Sequence, residues 1–283
     1  MKQIGIIGCG WFGLPLAQAF IKQGHQVIGS KRSLEGCKQL ASLGVTAYPL
    51  DLNQDSFADE INGVLDCEFL VINIPPGLRK KAGKPESRYL EQLQKLLTLI
   101  GPRYYQKLVF ISTTGVYPAK MDCSEPLSEA DAAPHSDSSE TLLKAEALFA
   151  QITNSCIVRF AGLVGPNRHP GRFLAGKASL SGANVAVNLV HLDDCIAAVM
   201  QIINAEHRAN NCVNSTTEIY NVVAPIHPNK GEFYAFASAH LGLAAPEFNQ
   251  QLMPTKVISG ALLCQQFGFV YQYPDPFKML YAC

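Results

Sequence analysis

Short apolar runs alternate with segments of helical periodicity through the first half of the chain. Residues 4–8, 26–30, 45–50, 68–74 and 107–112 are apolar stretches of strand length. Between them, residues 14–23, 34–43, 56–61 and 85–100 carry the spacing of amphipathic helices. Gly24 and Gly44 stand where the first two helices should stop. In the longest helix Leu90, Leu93, Leu96, Leu97 and Ile100 recur at intervals of three and four and line one face. Phe69-Leu70-Val71-Ile72 shows no polar alternation, so this strand should be covered on both faces, as in a parallel sheet between helices. The pattern predicts an α/β fold with a doubly wound parallel sheet.

The text changes after the fifth strand. Residues 118–134 are acidic and rich in Ser and Pro, which suits a surface loop beside a cleft. Residues 136–150 return to helix, with Ser and Asp near the start as caps, and 156–160 form another buried strand. Beyond Gly165 the elements shorten and Gly, Pro and His become frequent. The expected organisation is a ligand-binding domain over 1–165 and a smaller substrate-side lobe over 166–283, with about 187–225 returning to the first core. A strand at 219–223 and helices at 195–203 and 231–241 fall in this half. Asp193 and Asp194 are placed to cap the first of these helices.

Composition narrows the partners. The chain has 283 residues, 48% of them hydrophobic, enough for a sizeable core. Lys+Arg and Asp+Glu are 23 each, which argues against nucleic acid or an anionic membrane as the main partner. Nine cysteines are scattered without a C-x-x-C pair, so zinc-knuckle and thioredoxin-type sites lack support. No His and carboxylate spacing suggests a metal. Free thiols in a large apolar chain suit a reducing, cytoplasmic location. The apolar N-terminus is interrupted by regularly spaced glycines and Pro15, which fits strand-turn-helix better than a signal peptide.

Gly8-Cys9-Gly10-Trp11-Phe12-Gly13 follows the first strand and opens the first helix, which is the setting of a Rossmann dinucleotide turn. The first glycine allows the bend, the second lets a pyrophosphate approach the backbone, and the third lets helix and strand pack closely. Gly8, Gly10, Trp11, Phe12 and Gly13 are therefore cofactor-binding candidates. An acidic residue closing the second strand would bind the ribose 2′-OH of NAD. Here Ser30-Lys31-Arg32-Ser33 stands there, with no carboxylate until Glu35, a set that can pair with the 2′-phosphate of NADP. NADP is the expected cofactor and NAD the alternative, since a solvated basic turn reads the same way. Asp51 could receive the adenine amino group or begin a turn. Ile74 ends the fourth strand on the sheet edge where such ligands lie. Arg79, Lys80, Lys81, Lys84 and Arg88 follow it, as an anion site or a solvated basic loop.

Later segments carry a resemblance. Phe110-Ile111-Ser112-Thr113-Thr114-Gly115-Val116-Tyr117, Arg159-Phe160-Ala161-Gly162-Leu163-Val164-Gly165-Pro166, His191-Leu192-Asp193-Asp194 and Tyr220-Asn221-Val222 resemble segments of the extended short-chain dehydrogenase/reductases, the epimerase/dehydratase superfamily. The resemblance runs over nearly the whole chain. It implies an oxidoreductase, epimerase or dehydratase acting on a small-molecule, nucleotide-linked substrate, and it is compatible with an oligomer. It places Ser112, Thr113 and Gly162 beside the cofactor, with Thr113 also in the catalytic position. Arg168, His169 and Arg172 would face substrate, and His191 reads as a structural histidine.

Two departures mark the chain as atypical. Its glycines follow the dehydrogenase spacing, and where the family's Tyr-x-x-x-Lys motif should stand it reads Glu140-Thr141-Leu142-Leu143-Lys144. None of the ten tyrosines has Lys four residues later. Glu140 and Lys144 are either an ordinary i, i+4 ion pair or a substitute catalytic pair. The substitute requires burial to raise the Glu140 pKa toward neutrality. The rival to an enzyme is a dinucleotide-binding sensor that has lost the chemistry.

Overall fold

Apolar strands need cover on both faces, and the computed structural model shows how the chain supplies it. It describes residues 1–57, 59–77, 88–122, 125–205 and 217–283. β1 (Gln3–Ile7), α1 (Gly13–Lys22), β2 (Gln26–Lys31), α2 (Leu34–Ala41) and β3 (Thr46–Pro49) open the alternation. A 3-10 turn (Asp59–Ile61), α3 (Asn62–Leu65), β4 (Phe69–Ile72), α4 (Tyr89–Ile100), β5 (Lys107–Thr113), α5 (Asp137–Ala150) and β6 (Ser155–Phe160) continue it. Then come β7 (Gly162–Val164), α6 (Gly171–Leu174), β8 (Leu189–His191), α7 (Leu192–Asn204), β9 (Glu218–Val222), α8 (Lys230–His240), α9 (Ala261–Phe267) and α10 (Pro276–Met279).

Seven strands form a parallel, Rossmann-like sheet flanked by helices, in the order β3-β2-β1-β4-β5-β6-β9. The chain starts in the middle of the sheet, so β1 has β2 on one side and β4 on the other. That reversal of direction is where open α/β sheets receive ligands. The register aligns Ile7 with Ile72 and Ile72 with Phe110, which brings the carboxyl ends of β1, β4 and β5 level.

By proximity along the backbone the chain divides into two compact units. The first comprises Met1–Ser112, Ser136–Val158 and Val199–Ile219. Its interior joins Ile7, Leu70, Ile72, Leu93, Leu96, Ile100, Phe110, Phe149 and Ile157, each such side chain contributing about 1.5–3 kcal/mol through burial. Leu93, Leu96 and Ile100 are the apolar face that periodicity assigned to α4. Phe110 stacks on Phe149 with ring centres 4.4 Å apart, tying α5 to the sheet. The short helix expected at 56–61 lies at 59–65 instead, a 3-10 turn running into α3, which places Ile61, Val64 and Leu65 together in the core. α5 starts as its sequence suggests: Ser136 receives the Ser139 N–H and Ser139 reaches back, a reciprocal cap.

The second unit comprises Thr113–His135, Arg159–Ala198 and Tyr220–Cys283. β7 and β8 form a parallel pair, and Val164, Leu189, Phe233, Ala237, Met279 and Leu280 form its core. α6 crosses α8 so closely that a Cβ on Gly171 would lie 2.1 Å from the Ala237 carbonyl. α7 begins at Leu192, so Asp193 and Asp194 lie inside its first turn, earlier than expected. The Asp194 carboxylate receives the backbone N–H groups of Gln272 and Tyr273 at 2.6 and 3.1 Å. His191 Nε2 lies 3.2 Å from the Ala282 carbonyl. These contacts hold the C-terminal segment against the unit. Among the described residues no helix is long and apolar enough to cross a membrane.

Candidate dinucleotide site

The three glycines of the first turn meet three different surroundings. A Cβ on Gly8, whose φ is 93°, would lie 2.2 Å from the Asn73 carbonyl oxygen, and one on Gly13 would lie 2.4 Å from the Gly8 carbonyl oxygen. Both positions exclude a side chain through backbone contact. A Cβ on Gly10 would meet nothing within 4 Å, so that glycine lies open. Packing does not require glycine at position 10, whereas a pyrophosphate lying on the backbone does. α1 has no acidic residue in its first turn, which leaves the positive end of its dipole for an anion. Trp11 is half-buried, while Phe12 is buried in the unit.

Two residues brace the turn from below. Ser30 is 2% exposed and its Oγ receives the Gly8 N–H at 3.1 Å. Ser30 therefore holds the turn and does not face a ribose phosphate. Asn73, which sequence reasoning passed over, donates its side-chain amide to the Gly8 carbonyl at 3.1 Å. A polar residue ending an apolar strand was the available signal. The Cys9 thiol is buried beneath the turn, within 3.6 Å of the Ile6 carbonyl, and burial pushes its pKa up to about 11.

At the end of β2, Lys31 is half-buried and Arg32 and Ser33 are exposed. The Lys31 stem lies beside Gly36, where a Cβ would come within 3.1 Å of it, and Ser33 Oγ caps α2 by receiving the Gly36 N–H. A phosphate between this lysine and the start of α2 would meet both charge and backbone donors. Asp51 forms a turn: its carboxylate receives the Asn53 backbone and side-chain N–H groups at 3.1 and 2.8 Å. Ile74 is half-buried, and its carbonyl receives the Tyr89 hydroxyl at 3.3 Å. Arg79, Lys80, Lys81 and Lys84 lie outside the described residues, while Arg88 pairs with Glu91 on the surface.

Glu140 and Lys144 do not meet the condition for catalysis. They form a 2.7 Å ion pair with both side chains more than half exposed. The Lys144 ammonium holds the Glu140 carboxyl below its usual value, opposite to the shift a general acid at neutral pH needs. The buried carboxylate of α5 is Glu146, 5% exposed, whose Oε1 receives the Ser112 hydroxyl at 2.5 Å. Its signal was periodicity, since Glu146 falls on the stripe of Leu142, Ala145 and Phe149, which Glu140 leaves.

In the second unit, Thr113 Oγ1 receives the Gly115 N–H and caps the turn Thr114–Val116. The buried Tyr117 hydroxyl donates to Asn221 Oδ1 at 2.6 Å and receives an N–H of Arg159 at 2.7 Å. Lys256 donates to the carbonyls of Thr114 and Tyr117, and burial lowers its pKa. Gly162 approaches Leu189, whose side chain a Cβ would meet at 2.8 Å. Arg168 is half-buried and Arg172 exposed. His169 has both ring nitrogens occupied: Nδ1 receives the Gly171 N–H at 3.1 Å and Nε2 faces His240 Nδ1 at 3.2 Å.

Burial, then His240 and Arg172, lower the His169 pKa, and burial also lowers those of His25 and His227. Below about pH 6.5 the unfolded chain therefore binds protons that the folded chain refuses, and stability falls with pH. Urea unfolding should show lower stability at about pH 5.5 than at about pH 7.5, with a smaller difference in His169→Gln. Equal pH dependence in that variant would remove His169 as a contributor.

Residues 3–73, which include the glycine turn, match the family described as the NAD binding domain of 6-phosphogluconate dehydrogenase, a likeness that supports a nicotinamide dinucleotide as the cofactor. Among solved structures, the UDP-glucuronic acid 4-epimerase of Bacillus cereus, in complex with UDP-glucuronic acid and NAD, superposes with a TM-score of 0.77 at 19% identity, over 99% of this chain and 97% of that one. A protein of Methylobacillus flagellatus assigned as an NAD-dependent epimerase/dehydratase gives 0.74 at 26% identity, with the same coverage. The protein YeeZ, from Escherichia coli K12 and likewise from O157:H7, is 35% identical over 285 residues, covering 99% of both chains. The chain belongs to the YeeZ family.

Proposed function

We propose that this chain is an NADP(H)-binding oxidoreductase or epimerase/dehydratase of the short-chain dehydrogenase type, acting in the cytoplasm on a nucleotide-linked small molecule. The observation that carries the reading is the open Gly10 between two closed glycines. When bound, the nicotinamide supplies or accepts a hydride. The chain's own residues hold it: the Gly8–Gly13 turn takes the pyrophosphate, and Lys31 and Arg32 take the 2′-phosphate. Asp51 stands as a candidate toward the adenosine. Thr113, whose oxygen receives Gly115 N–H, keeps its proton to give to a substrate oxygen. Arg168 and Arg172 are the candidates for an anionic substrate, and His169 acts by holding α6. The nucleotide-sugar class is supported by the ligand named with the Bacillus cereus epimerase.

Fluorescence titration of the purified protein with NADPH and NADH tests the reading. NADPH should bind more tightly. The double variant Lys31→Ala, Arg32→Ala should lose about tenfold or more in NADPH affinity and leave NADH within about twofold. Equal affinity for the two cofactors, unchanged in the variant, would assign the site to NAD.

The exposed Glu140–Lys144 pair favours a second reading, a sensor of the nicotinamide pool. Turnover of reduced cofactor with a panel of nucleotide sugars supports the enzyme. Binding of one redox state alone, without turnover, supports the sensor.

A further inference from the structure

The buried Glu146 of α5 has no place in the chemistry expected from the sequence, yet it receives the hydroxyl of Ser112, near the end of β5, where the nicotinamide half of a dinucleotide would lie. Continuing the observed registers, Ser112 is level with Ile74 and Cys9, two strands from the glycine turn, or about 10 Å. A dinucleotide straddles the point where strand order reverses, one mononucleotide half on each side. With Lys31 on the β2 side marking the adenosine, the second ribose falls over β4 and β5.

We infer that Glu146 fixes the hydrogen-bond polarity of this end of the site, making Ser112 Oγ an acceptor that selects a ribose hydroxyl of the ligand. The inference rests on the dinucleotide reading above. A serine has one proton and two lone pairs. Ser112 gives its proton to the Glu146 carboxylate at 2.5 Å, a short charge-assisted bond, and both side chains are more than nine-tenths buried. Only lone pairs remain on Ser112 for a ligand, so it can meet a donor and not a phosphate or carbonyl oxygen. The same buried charge reinforces the choice. It adds to burial in raising the pKa of the neighbouring Tyr89, whose hydroxyl is given to the Ile74 carbonyl. A phosphate oxygen therefore finds no donor at Ser112, while the glycine turn offers backbone N–H groups to it. The two ends together set the direction in which a dinucleotide lies.

Calorimetric titration of the full chain with the better bound of NADPH and NADH, and separately with ADP, tests this. ADP keeps the pyrophosphate and lacks the second ribose. Ser112→Ala should weaken the dinucleotide about tenfold, the equivalent of one hydrogen bond, and leave ADP within about twofold. Glu146→Gln should weaken the dinucleotide by about threefold or more with the same sparing of ADP, because the amide accepts less strongly and can donate to Ser112 instead. A merely structural pair would lower the melting temperature without changing the ratio of the two affinities. Dinucleotide affinity unchanged in Ser112→Ala, or ADP falling in parallel, overturns the inference. Failure of NADPH, NADH and ADP alike to bind the unaltered protein overturns the dinucleotide reading, and this inference with it.

Discussion

Gly10→Val should abolish dinucleotide binding while leaving the fold intact. A Cβ at this position meets nothing within 4 Å, so thermal unfolding should stay close to that of the unaltered protein. The added methyl groups occupy the space over which a pyrophosphate lies, and affinity should fall by on the order of a hundredfold or more. Gly8→Ala provides the contrast. There the new Cβ would lie 2.2 Å from the Asn73 carbonyl at a φ of 93°, so the turn itself must shift and the melting temperature should drop. Equal thermal effects of the two substitutions would show that Gly10 is held by packing and not kept open for a ligand.

The second large effect belongs to Tyr117→Phe. The substitution preserves the ring and removes a hydroxyl that both gives to Asn221 and receives from Arg159. Asn221 also gives its side-chain amide to the Ser259 carbonyl and its backbone N–H to the Glu129 carboxylate, so the residues around the lost oxygen are held in place and cannot turn to replace it. Arg159 is 2% exposed and Asn221 fully buried. Two buried polar groups lose a partner at once, and unfolding should become easier by about 2–3 kcal/mol. Urea denaturation checks this. A loss below about 0.5 kcal/mol would mean that the network rearranges around the missing hydroxyl.

What the sequence shows plainly are features that one residue type settles locally. Gly8, Gly10 and Gly13 mark the turn because no other residue fits two of those positions, and the apolar runs mark strands because a buried parallel strand tolerates little else. The limits of α4 and α5 were legible within a few residues for the same reason. Pairings made in three dimensions were hidden. Ser30 looks like a phosphate ligand until the fold turns it inward to Gly8. His169 looks like a cleft residue until α8 brings His240 to it. Glu140 and Glu146 are the same residue type on one helix, and only the phase of the apolar stripe separates the solvated one from the buried one. The short helix after β3 lies later than expected because Ile61, Val64 and Leu65 enter the core together, which outweighs the polar stretch that precedes them.

Cys9 gives the turn one more property. Its thiol is fully buried, lies beneath the backbone that a pyrophosphate would touch, and with its pKa near 11 remains protonated in neutral solution. An alkylating reagent reacts with the thiolate and needs contact, so labelling of this sulfur must wait until the chain around it opens. The rate of its modification is then a clock for that opening. Whatever clamps the turn shut slows the clock, so the protein carries a chemical record of how long its phosphate loop stays closed.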